Sequence, residues 1–88
     1  MELSERVIRT FESEGYSSVY EHQDSAGAVY EEQSSATDKA VFVTDGSITY
    51  SLNGRAKELT APKRLDIPAN TPHSALVGPN GCIMILAE

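Results

Sequence analysis

The chain has no tryptophan, one cysteine, two histidines and only seven lysines and arginines among its 88 residues. Each scarcity removes a class of function. A single cysteine, Cys82, cannot close a disulfide within the chain, so packing has to hold the fold. That suits a reducing compartment, and a cytoplasmic location is expected. Thirteen acidic residues against seven basic ones leave a formal net charge of −6. The basic residues are scattered and form no stripe that could neutralise phosphates, which argues against nucleic acid as a partner. The longest apolar run, Cys82 to Ala87, is far short of the ~20 residues a membrane helix needs. Glu2 and Glu5 interrupt MELSERVIRT where a signal peptide would be apolar, so no membrane partner is expected either.

What is present is enough for one domain, residues 1–88, with a modest core. Domains of this size bury only about 60–65% of the surface their unfolded chains expose, so association with a second copy, a homodimer, is expected. Leu3, Val7, Ile8 and Phe11 recur at helical spacing with Gly15 as a stop, which predicts one amphipathic helix over 3–14. From Tyr16 onward the period changes to two and turn signals arrive every eight to twelve residues, which predicts a β-barrel over 16–88. Asp45-Gly46 and Asn53-Gly54 read as two hairpin turns, because both pairs tolerate positive φ. A turn at Asp45-Gly46 puts Lys39, Val41, Val43, Ile48, Tyr50 and Leu52 on one face and Phe42 on the other. Strands are further expected around Ser17–Glu21, Ala28–Ser34, Ala56–Leu59, Arg64–Ile67, Ser74–Val77 and Cys82–Leu86, with Gly78-Pro79-Asn80-Gly81 separating the last two.

Two blocks carry a resemblance. GAVYEEQSSATDKAVFVTDG, Gly27 to Gly46, fits the frame G-x5-H-x-H-x3-E-x6-G in both glycines, and PANTPH, Pro68 to His73, fits the core of P-x-G-x2-H. The chain resembles a small single-domain cupin, which implies an all-β, cupin-type jelly-roll barrel with one short N-terminal helix outside the resemblance. In that family these blocks carry a metal. Here the positions of the two first histidines hold Gln33 and Ser35, that of the glutamate holds Lys39, and only His73 matches a ligand. Asn70 stands for the middle glycine of the second block, and asparagine is the residue that best tolerates a left-handed turn after glycine.

The resemblance therefore implies a pocket lined by Gln33, Ser35, Lys39, Tyr50 and His73, with no metal and no other cofactor. A lysine where a carboxylate would balance a divalent ion repels that ion. Its ammonium could take the ion's place by bonding Gln33, Ser35 or His73. Glu31, on the same side as Gln33 by strand alternation, could hold a weak ion with His73. The reading that follows is a non-catalytic binding or accessory protein for a small anionic or hydroxylated metabolite, since Lys39 makes a positive spot in a negative molecule. Two alternatives stand beside it. One is a small enzyme, either metal-dependent through Glu31 and His73 or a metal-free isomerase or epimerase with His73 as base and Tyr50 as its partner. The other is an interaction module whose working surface is Phe42, which could equally pack on the helix. His22 reads as a solvated loop residue and Cys82 as a small core residue.

Overall fold

The computed structural model describes residues 2–88. Its elements run α1 (Leu3–Ser13), β1 (Val19–Asp24), β2 (Val29–Gln33), β3 (Lys39–Leu52), β4 (Arg55–Thr60), β5 (Lys63–Ile67) and β6 (His73–Ala87). Every strand pairs antiparallel. The long strands β3 and β6 pair along most of their length and each serves two layers. In one layer the order is β1, β6, β3, β5, using residues 82–87 of β6 and 39–46 of β3. In the other it is β2, β6, β3, β4, using residues 73–77 of β6 and 47–52 of β3. The protein is an all-β, antiparallel two-layer jelly roll with one short helix.

Alternation along the shared strands decides what lies inside. Val41, Val43, Ile48 and Tyr50 of β3 meet Ala75, Val77, Cys82 and Met84 of β6 in the core between the layers, with Leu59, Leu65 and Ile67 closing it. The other face of the first layer carries Ala40, Ile85 and Ala87. There α1 buries Val7 and Phe11, with Phe42 packed against the cluster. Phe42, partly buried, thus packs on the helix side of the sheet. Arg64 of β5 fastens the helix further. Its guanidinium lies 4.8 Å from the centre of the Phe11 ring, grips both carboxylate oxygens of Glu14 at 2.7 and 2.6 Å, and reaches Asp66 at 2.9 Å.

One of the two expected hairpins forms. Leu52 pairs with Arg55 across Asn53 and Gly54, whose φ values of +51° and +80° are those of a two-residue turn that matches strand twist. Asp45-Gly46 is no turn: Asp45 pairs with Ile83 and Gly46 with Cys82, and β3 runs straight through. The face assignment survives for a different reason. Thr44 is an extra residue between Val43↔Met84 and Asp45↔Ile83. It is held as a bulge by its hydroxyl, which donates to the Ile83 carbonyl at 3.1 Å. One bulged residue shifts the alternation by one, so Val43 and Ile48 both point inward, as a hairpin would also have made them. Likewise Gly78-Pro79-Asn80-Gly81 does not divide two strands. It is an excursion within β6 opposite Ser47, between Val77↔Ile48 and Cys82↔Gly46. Gly46 is needed at this bend on two counts: its φ is +75°, and a Cβ there would overlap the carbonyl oxygen of Gly81.

Candidate functional site

A cavity of ≈150 Å³ lies between the layers, and Gln33, Lys39, Tyr50 and His73 all line it. The corner before β6 places the histidine. The amide of Ala69 donates to the Asp38 carboxylate at 2.8 Å, Asn70 N–H to the Ser35 carbonyl at 2.6 Å and Asn53 N–H to the Pro72 carbonyl at 3.0 Å. Asn70 adopts the left-handed conformation expected of it, with φ +61°. His73 then enters the interior at 5% exposure, and its Nδ1–H donates to the Thr71 carbonyl at 2.9 Å. A carbonyl only accepts, so Nδ1 carries the proton and Nε2 of the neutral ring is left with its lone pair. Nε2 has no partner among the described residues, and no buried side-chain nitrogen or oxygen there is sealed off unpaired, so this atom opens onto the cavity.

Tyr50 is placed the same way. It is 7% exposed, its hydroxyl has no partner among the described residues, and the absence of sealed orphans there makes that hydroxyl accessible from the cavity. Burial, with smaller contributions from Cys82, Asp24 and Tyr20, pushes its ionisation well above the ordinary tyrosine range, so it remains a donor at neutral pH. The cavity thus offers one donor and one acceptor on fixed supports, with apolar walls from Val41, Ile67, Met84 and Leu86. At the mouth stands Lys39, whose Nζ lies 3.3 Å from Oε2 of Glu88. The ammonium was expected to bond Gln33, Ser35 or His73; it pairs with Glu88 instead.

Ser35 and Glu31 are not brought to the cavity. Between Tyr30↔Ala75 and Gln33↔His73 the strand β2 carries an extra residue, and this irregularity flips the alternation. Tyr30 and Gln33 therefore line the cavity, Gln33 at its exposed edge, and Glu31 faces out beside Glu32 and Val29. Ser35 lies beyond the strand, its hydroxyl 3.3 Å from that of Thr37. The family metal thus meets an imidazole, a carboxamide and a cation already paired to a carboxylate. That donor set does not fit a divalent ion, and Glu31 is not placed to improve it. Among the described residues no group of three or more His, Cys, Asp and Glu side chains is placed to hold a metal.

Sequence reasoning missed Tyr20, Tyr30, Ser74 and Glu88 on the cavity wall. It also missed a polar cluster behind it. His22 lies on β1 rather than in a loop, with Nε2 3.0 Å from Asp24 Oδ1, while the Tyr30 hydroxyl donates to Asp24 Oδ2 at 2.5 Å. Burial, the Asp24 hydrogen bond and nearby negative charge push Tyr30 ionisation up as well. The available signal was Tyr20-x-His22-x-Asp24, three polar-tipped residues at period two, which share a face with their cross-strand partners Leu86, Met84 and Cys82. Cys82 is the buried core residue expected, and burial pushes its thiol up.

The antiparallel two-layer jelly roll is the fold of cupins, and comparison with solved structures finds cupins among those that share it. The chain is similar to a RmlC-like cupin from Shewanella frigidimarina, with a TM-score of 0.72 and 23% identity over 78% of this chain and 61% of that one. It is also similar to KdgF from Halomonas sp. (TM-score 0.69, 19% identity, 78% and 66% covered). A third similar structure is the DMSP lyase DddQ from Ruegeria pomeroyi (0.70, 17%, 80% and 36% covered). The chain spans about two thirds or less of the length of these three proteins. No sequence-family model matches the chain, and no curated protein matches it in sequence. Among the described residues no helix is long and apolar enough to cross a membrane.

Proposed function

We propose that the protein is a metal-independent, non-catalytic binding or accessory protein that holds a small anionic or hydroxylated metabolite between its layers, acting in the cytoplasm as a homodimer. The observation that carries this reading is the pair of unpartnered polar atoms, Tyr50 hydroxyl and His73 Nε2, on a cavity whose mouth has a lysine. A donor, an acceptor and a cation around apolar walls are the usual makings of a small-molecule site. An NMR titration with 2-oxo acids, sugar acids and sugar phosphates tests it: shifts at Lys39 and His73 with one class support the reading, and silence with all of them removes it. Light scattering tests the dimer by mass.

The same two atoms favour a second reading, a metal-free isomerase or epimerase with His73 as base and Tyr50 as its partner. That catalysis can live on this fold is supported by the lyase among its structural neighbours. Here His73→Ala should abolish turnover of a substrate that the intact protein converts. Binding without turnover keeps the first reading.

A further inference from the structure

The mouth of the cavity narrows the ligand class. Lys39 is the one lysine or arginine on the cavity wall among the described residues, and it already faces a carboxylate, that of Glu88 at 3.3 Å. The neighbouring acids are otherwise engaged: Asp38 accepts from Ala69 N–H, and Glu31 and Glu32 lie on the outer face. Glu88 is anchored by its backbone, not by its side chain. Its N–H donates to the Ser18 carbonyl at 2.9 Å and its carbonyl accepts from Ser18 N–H at 3.0 Å. The side chain itself is 41% exposed. It can turn into water without moving the strand.

On the binding reading above, we propose that Glu88 is a built-in stand-in for the ligand, and that the site takes a small monocarboxylate whose carboxylate replaces that of Glu88 on Lys39. A cavity of ≈150 Å³ is the size that holds about six or seven heavy atoms, as benzene fills an engineered cavity of about that volume. That admits 2-hydroxy and 2-oxo acids of three or four carbons and excludes a hexuronate. Such an acid has an oxygen next to the carboxylate. Tyr50 can donate to it as a carbonyl, and His73 Nε2 can accept from it as a hydroxyl. A phosphate dianion is a poorer match, because one lysine leaves a second negative charge unbalanced inside a molecule of net charge −6.

The test is NMR titration of the wild type, Glu88→Gln and Lys39→Met with lactate, pyruvate, uncharged lactamide and glucuronate. Lactate or pyruvate should shift Lys39, Tyr50 and His73 while lactamide and glucuronate do not. Glu88→Gln should bind about two- to five-fold more tightly, the range set by releasing one exposed ion pair. Lys39→Met should lose binding, and because Glu88→Gln keeps shape and removes a charge it remains informative if Lys39→Met misfolds. Wild-type binding of lactate or pyruvate that Glu88→Gln leaves unchanged or weakens overturns this inference and leaves the binding reading intact. Binding of glucuronate alone does the same. No shift at these residues in either wild type or Glu88→Gln overturns the inference, and if sugar phosphates are silent too, the reading falls with it.

Discussion

Asp24 holds two side chains at once, and it is only 13% exposed while doing so. Replacing it with alanine takes away the charged acceptor of the part-buried Tyr30 hydroxyl, and a lost hydrogen bond to a charged group costs about 1.5–3 kcal/mol. Asp24→Ala should therefore lower the urea midpoint clearly. Tyr50→Phe makes the opposite case, because its hydroxyl has no partner among the described residues to lose. Stability should hardly change, while affinity for a bound 2-oxo acid falls about five- to ten-fold, the value of one hydrogen bond; thermal melting and titration separate the two. At this scale much of the site was legible. His73, Lys39 and Gln33 came from a spacing frame that fixes where side chains sit, and Tyr50 from strand alternation. Ser35 and Glu31 did not, since one extra residue in β2 reverses every orientation beyond it and bulges leave no reliable mark in a single sequence. Glu88 was invisible because its partnership with Lys39 joins residues far apart in the sequence.

At the scale of elements, glycines with the same backbone twist differ in what surrounds them. Gly54, φ +80°, has open space where a Cβ would go, whereas Gly46, φ +75°, has the Gly81 carbonyl there. Alanine at Gly54 should cost only the left-handed penalty, about 1–2 kcal/mol. Gly46→Ala adds a collision with backbone that cannot swing aside. It should cost clearly more, and unfolding curves of the two variants measured together isolate the close approach. The same glycine shows why Asp45-Gly46 reads as a turn when it is a bend. Both solutions need positive φ and both shift the alternation by one, so local pattern cannot distinguish them. What distinguishes them is β6, pairing with β3 on both sides of the bend, and that is a long-range fact. The Asn53-Gly54 hairpin, closed by its immediate neighbours, was readable for the converse reason.

For the molecule as a whole, Arg64 ties the helix to the jelly roll by stacking on Phe11 and gripping Glu14. Arg64→Ala should cost about 1 kcal/mol, chiefly through the lost ring contact, which for a domain this small is a fall in Tm of about 4–8 °C. The hydrogen bond from Arg64 holds the Glu14 carboxyl below its ordinary value of 4.5. A carboxyl whose folded-state value is lowered stabilises the fold above its unfolded value, and that contribution disappears as pH falls through the lowered one. Wild type should thus be more stable than Glu14→Gln above pH 4.5, with the gap closing on further acidification, as paired denaturation curves would show. The shared strands also couple the two layers. Because β3 and β6 thread both, releasing either strand from one layer disturbs its pairing in the other. Amide hydrogens at the two ends of β6 should consequently exchange with deuterium through one common event. Any ligand reaching the interior has to enter past the side chains at the rim, Lys39 and Glu88 among them.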